Sequence, residues 1–277
     1  MRKQAISICA TVLVVAAFGS FARWIQNQAA FELETGLMIP GSTWSKVALL
    51  VCLAMLLLLG NLVRKLWYKG YYPAQEFNTV IHGEAAWLSR ITRGIAALMV
   101  VGAAAAFLIA GYELYSSMVR TLCVLAVASA WSFVKLSEEP FAEKTSALKQ
   151  MLYASVPVVM YGYWLVVSYR LHAAIPSVWS YAVEIIAISV SLLGMFYFAG
   201  YGYDFARPYI AVGCLMAGAF LSLVTLPDSR NVGQTLMLVA GAAMQLYYVW
   251  MIVDSMSEEW PEEAVEETTE ETNKADA

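Results

Sequence analysis

Eight long apolar segments run through this chain, at residues 5–23, 45–66, 93–112, 118–134, 151–169, 178–199, 208–227 and 232–253. A bilayer core about 30 Å thick is crossed by a helix of roughly 20 mostly apolar residues. Lipid offers no hydrogen bonds, so a spanning segment must satisfy its own backbone, which leaves helices and closed barrels. Barrel strands alternate apolar and polar side chains, whereas these runs are apolar throughout. The expected fold is therefore all-α: a polytopic transmembrane helical bundle of about eight spanning helices, occupying residues 1–254 as one membrane domain. Segment 118–134 is short for a crossing. If 93–134 formed a re-entrant pair, two crossings would vanish together and the later segments would keep their orientation.

Charge is distributed to match. Only 14% of residues are charged, against about 25% in a soluble domain. The net charge of −4 conceals two opposed parts. From Ser255 onward there are nine acidic residues and one lysine; the rest of the chain holds 16 basic and 12 acidic residues. Glutamate doublets recur at 258–259, 262–263, 266–267 and 270–271. Such like charge with few apolar residues predicts a disordered acidic tail over 255–277. An anionic leaflet repels it, so its expected role is to solubilise or to dock a basic protein partner. The mildly basic body has no field of the kind that binds nucleic acid, and its expected partner is the lipid bilayer.

Lys and Arg set the orientation. With the N-terminus inside, twelve fall on the cytoplasmic side, and Arg23, Lys46, Arg120, Arg170 and Arg230 fall outside. This bias predicts a multi-pass protein of the cell membrane with both termini cytoplasmic. Met1-Arg2-Lys3 followed by an apolar run and Ser20-Phe21-Ala22 also fits a signal peptide. The run is long for one, and an uncleaved helix is the expectation; cleavage would leave seven helices in the same orientation. Trp24, Trp44, Trp67, Tyr68, Tyr112, Trp179 and Tyr209 flank the spans, where amphipathic rings prefer the headgroup level.

The first connection carries Arg23-Trp24-Ile25 and then Glu32-Leu33-Glu34-Thr35-Gly36-Leu37. One helix, an Arg-aromatic pair and an acidic-Thr-Gly-Leu stretch resemble the opening of uncharacterised multi-pass membrane proteins of clostridial-type bacteria. The resemblance covers about the first 60 residues and implies no activity. Read from the residues alone, Glu34-Thr35-Gly36 is a turn, with Gly36 free to take positive φ.

Chemistry is sparse. Cys9, Cys52, Cys123 and Cys214 all lie in apolar segments without CxxC spacing and read as small buried hydrophobes. His82 and Glu84 form an isolated HxE pair in the 67–92 connection, where Val80, Ile81, Trp87, Leu88 and Ile91 suit a helix on the membrane surface. No metal site, cofactor or catalytic residue is expected, because HExxH, GxSxG and paired intramembrane acids are all missing.

One polar stripe stands out. At about 100° per residue, Ser177 and Ser191 lie within about 20° of Glu184, with Ser180 and Tyr181 on the same side. Intramembrane acids are costly and functional by default, so Glu184 is the candidate proton- or cation-coupled group. It also lies near enough to a helix start to reach the interface or bond a neighbour. On the last segment Gln234, Gly241, Gln245 and Tyr248 share a face. The two stripes are expected to face each other, bringing Glu184 close to Gln245. Pro157 predicts a kink, and Gly102/Ala106/Ala110, Gly213/Ala217 and Cys214/Gly218 predict close helix packing. The expected function is a non-catalytic membrane component or complex subunit, with a small-molecule or ion transporter using Glu184 as the alternative.

Overall fold

The computed structural model describes residues 2–32, 37–39, 41–69, 71, 80, 86–112, 116–137, 147–172, 178–203 and 205–256. Among them are eight α-helices and no strand beyond one isolated bridge, Phe31 to Met38. The helices are α1 Arg2–Ala29, α2 Thr43–Tyr68, α3 Ala86–Ile109, α4 Ser116–Ser137, α5 Ala147–His172, α6 Val178–Ala199, α7 Pro208–Val224 and α8 Val232–Asp254. Seven are long and apolar enough to cross a membrane. The chain is an all-α, polytopic transmembrane helical bundle, as its apolar segments predict.

Helices α3 to α8 close into a ring in which each packs against its chain neighbours and α8 returns to α3. The α1–α2 pair lies outside the ring, α1 against α7 and α8, α2 against α7. Helices α3 and α4 are full-length and pack along each other, so 93–134 is no re-entrant pair. The short helix is α7 instead, with 17 residues, about 25 Å at 1.5 Å per residue. It has α6 and α8 on its flanks and α1 and α2 over its outer face, and eleven of its residues are buried. A helix sheathed by protein has no lipid thickness to match.

Small residues make the crossings close. Gly233 of α8 lies directly against the backbone of Ala106 in α3, and a Cβ at Gly102 would stand 2.8 Å from the Met237 nitrogen. A Cβ at Gly194 would come within 3.0 Å of the Leu215 nitrogen, joining α6 to α7. Without a hydrophobic drive between helices in lipid, dispersion across such contacts holds them together. The predicted small-residue rows of α3 and α7 are thus internal packing.

The proline is compensated. Pro157 lies inside α5 and has no N–H for the carbonyl four residues before it. That carbonyl belongs to Tyr153, and the buried Ser132 hydroxyl of α4 donates to it. Neighbouring serines commonly re-satisfy a backbone group freed this way.

Apolar side chains cover the outside. Leu57 is 71% exposed and Leu108 74%, a surface that bilayer contact explains and water does not. Trp24 and Trp44 project at one end of the bundle, Trp67 and Tyr68 at the other. That other end is stitched through Tyr71: its hydroxyl accepts from Gln4 at 2.8 Å and its carbonyl from Tyr209 at 2.6 Å. Trp87 meets Trp250 edge-on at 5.5 Å, under the Arg2 guanidinium.

Candidate functional site

At the Arg23 end, four ionisable side chains are buried together. The first apolar segment continues helically to Ala29, so Arg23 lies inside α1, with Gln26 and Asn27 one turn on, on the same side. Its Nε donates to Asp228 at 2.8 Å and a terminal nitrogen to the Gln26 carbonyl at 2.9 Å. Asn27 adds a bond to Asp228 at 2.9 Å. Asp228 belongs to the connection between α7 and α8, which is shaped from within. The α8 cap is Asn231, accepting from the Gly233 N–H at 2.9 Å. Arg230 folds back to donate to the Thr225 carbonyl at 2.9 Å.

Arg230 is the hub. One of its terminal nitrogens stands 3.3 Å from Glu184 and 3.6 Å from Asp228. Glu184 also accepts from the Ser168 hydroxyl of α5 at 2.9 Å. His172 bonds the Ser168 carbonyl at 2.8 Å and stacks on Tyr181 at 4.9 Å. The side chains of Arg23 and Arg230 are 3% and 5% exposed, those of Asp228 and Glu184 9% and 12%. Two cations and two anions cancel, and the cluster ties α1, α5, α6 and the α7–α8 connection into one knot. Charges this deep are tolerated only when paired and hydrogen-bonded.

A second polar cluster fills the ring interior. Gln245 donates to the Tyr161 hydroxyl at 3.0 Å, and that hydroxyl lies against Gly241. The Gln245 carbonyl lies against Gly218, and a Cβ at Gly218 would also come within 2.9 Å of the Ser191 Cα. Ser191 and Ser222 hydroxyls are 3.4 Å apart. Tyr248 stacks on Phe198 at 3.7 Å and meets Phe133 edge-on. Buried side-chain oxygens of Ser129, Tyr201, Gln245 and Tyr248 have no hydrogen-bond partner among the described residues.

The expected stripes are therefore divided between two places. Glu184 belongs to the ion-pair knot and Tyr181 stacks on His172 beside it; Ser191, Gln245 and Tyr248 belong to the ring interior. Gln234 is half-buried with no partner among the described residues. Ser180 is on α6, while its side chain and Ser177 lie outside the described residues. The expected pairing of Glu184 with Gln245 is not formed. Glu184 meets Arg230, which precedes α8, whereas Gln245 is thirteen residues into that helix, about 20 Å further along. Helices α6 and α8 do meet, but at Phe198 and Tyr248.

Beside the knot, α1, α2, α6 and α7 enclose a cleft of about 440 Å³. Its walls are aliphatic, and Arg23, Gln26, Ser45 and Lys46 stand at one end. Among the described residues no three His, Cys, Asp or Glu side chains gather as metal ligands. His82, Glu84, the Glu34-Thr35-Gly36 turn and tail residues 257–277 lie outside the described residues. The four cysteines are free thiols, Cys9 donating to the Leu246 carbonyl at 3.6 Å. Comparison with known proteins finds no matching family model, no matching curated protein and no matching solved structure.

Proposed function

We propose that this integral membrane protein is a non-catalytic component of a membrane assembly, lying in the cell membrane with both termini cytoplasmic. The observation that carries the reading is the closed knot of Arg23, Asp228, Arg230 and Glu184. Its charges pair with one another, leaving one Asp228 oxygen and the Arg230 Nε without a hydrogen-bond partner among the described residues, and a paired cluster of this kind suits a rigid scaffold better than a moving site. The acidic tail supplies the matching contact for a basic partner. Mild extraction, crosslinking and mass spectrometry of co-purifying proteins test this. A stoichiometric partner that is lost on deleting residues 257–277 is the expected result; a chain that purifies alone overturns it.

A second reading is favoured by the orphan oxygens of Gln245, Tyr248, Tyr201 and Ser129. Buried polar atoms ordinarily find partners, and a polar passenger would satisfy these. Under it the chain is a small-molecule or ion transporter with Glu184 as its protonatable acid. Proton-coupled uptake into vesicles reconstituted with Glu184→Gln separates the readings. Loss of coupling with expression intact supports transport, and unchanged uptake removes Glu184 from the mechanism.

A further inference from the structure

The cleft between α1, α2, α6 and α7 has a built polarity. Leu49, Leu53 and Leu56 of α2 form one wall, Ile186 of α6 and Leu221 of α7 the opposite one. Leu49, Leu53 and Ile186 are each about half exposed, so the cleft opens sideways on the surface that faces lipid. Its volume of about 440 Å³ falls within the range of about 300–1,000 Å³ common to ligand pockets. The wall from Leu49 to Leu56 descends about 10 Å along the helix.

The depth of each end follows from the aromatic residues. Trp24 and Trp44 are both half exposed at this end, and tryptophans of this kind mark the headgroup level. Ser45 and Lys46 lie in the first turn of α2, beside Trp44. The aliphatic walls therefore lie at acyl-chain depth and the polar end at headgroup depth.

Charge then selects the occupant. Arg23 is engaged by Asp228 and Gln26, and the knot around it is neutral. Lys46 is exposed and has no acidic partner among the described residues. The Ser45 hydroxyl is buried at the same end and has no hydrogen-bond partner among the described residues. One unpaid cation and one free hydroxyl thus cap an apolar slot open to the bilayer.

We infer that this cleft binds one anionic phospholipid, with an acyl chain along Leu49, Leu53 and Leu56 and the headgroup at Lys46 and Ser45. The binding is independent of any partner protein, and it explains why α2, the least buried of the long helices, is held away from α6. Lipid is the occupant because it is the solvent on that face; the anionic class follows from Lys46.

The test uses the full chain in nanodiscs of equimolar phosphatidylglycerol and phosphatidylcholine, released and weighed intact by native mass spectrometry. One retained phosphatidylglycerol per chain is expected. Lys46→Gln should lower the preference for it about fivefold, the worth of one lysine near a charged headgroup, and Lys46→Arg should restore it. Leu49→Trp at the exposed rim should displace lipid of either class. Lys46 is exposed, so loss of fold does not explain its effect. Equal retention of the two lipids by the wild type, an unchanged preference in Lys46→Gln, or retention of a free fatty acid in place of phospholipid would each overturn the proposal.

Discussion

At the residue scale, the molecule turns on Asp228. It accepts from Arg23 and Asn27 on α1 and stands beside Arg230. Removing it leaves two guanidinium groups buried without enough countercharge. Breaking a buried pair from one side costs about 3–5 kcal/mol, while replacing both partners by apolar groups of similar volume is often neutral. Asp228→Ala should therefore lower the thermal midpoint in detergent sharply. Arg23→Met combined with Asp228→Leu should lose less than the sum of the two single changes, a coupling that a double-mutant cycle reads directly. A strictly additive result would mean that the pair contributes nothing. Glu184 was legible in the sequence because an acid within an apolar run is conspicuous. Asp228 was not, because it follows Pro227 in a connection and looks solvated there. Its burial comes from Arg23, 205 positions earlier, a tertiary fact with no local trace. The nearest clue is that Gln26 and Asn27 extend the polar side of α1 beyond Arg23, although the expected first segment stopped at residue 23 and the helix runs to Ala29.

At the scale of the element, hydropathy is local and nearly additive, and the eight segments were legible for that reason. The expected 178–199 coincides with α6, and 232–253 falls one residue short of α8. What hydropathy does not carry is which helix is wrapped by the others, so α4 was expected to be the short one in place of α7. Nor does it reveal how a break is repaired. The Ser132 bond to the Tyr153 carbonyl exists because Pro157 leaves that carbonyl free. Ser132→Ala should thus cost about 1–3 kcal/mol, the penalty of an unsatisfied buried acceptor. In a Pro157→Ala background the restored N–H can serve the same carbonyl, and Ser132→Ala should then cost clearly less. Equal losses in both backgrounds, measured by unfolding in detergent, would show that the serine does not answer the proline.

At the scale of the whole molecule, the ends of the bundle differ in how charge is used. The Arg23 end gathers the cations expected outside, and two of them, Arg23 and Arg230, are buried in ion pairs within the fold. The opposite end keeps Lys65 and Lys69 exposed beside Trp67 and Tyr68. Under the proposed orientation the Lys65 and Lys69 end is the cytoplasmic one. With Cys9, Cys52, Cys123 and Cys214 replaced, Arg120→Cys and Lys69→Cys place single thiols at opposite ends of the bundle, both at exposed positions. A membrane-impermeant maleimide should label Arg120→Cys in intact cells and Lys69→Cys only after permeabilisation. The reverse pattern would invert the protein in the membrane, put the acidic tail outside and move the Lys46 cleft to the cytoplasmic leaflet. Labelling of both from one side would mean that α3, the long helix between the two positions, does not cross.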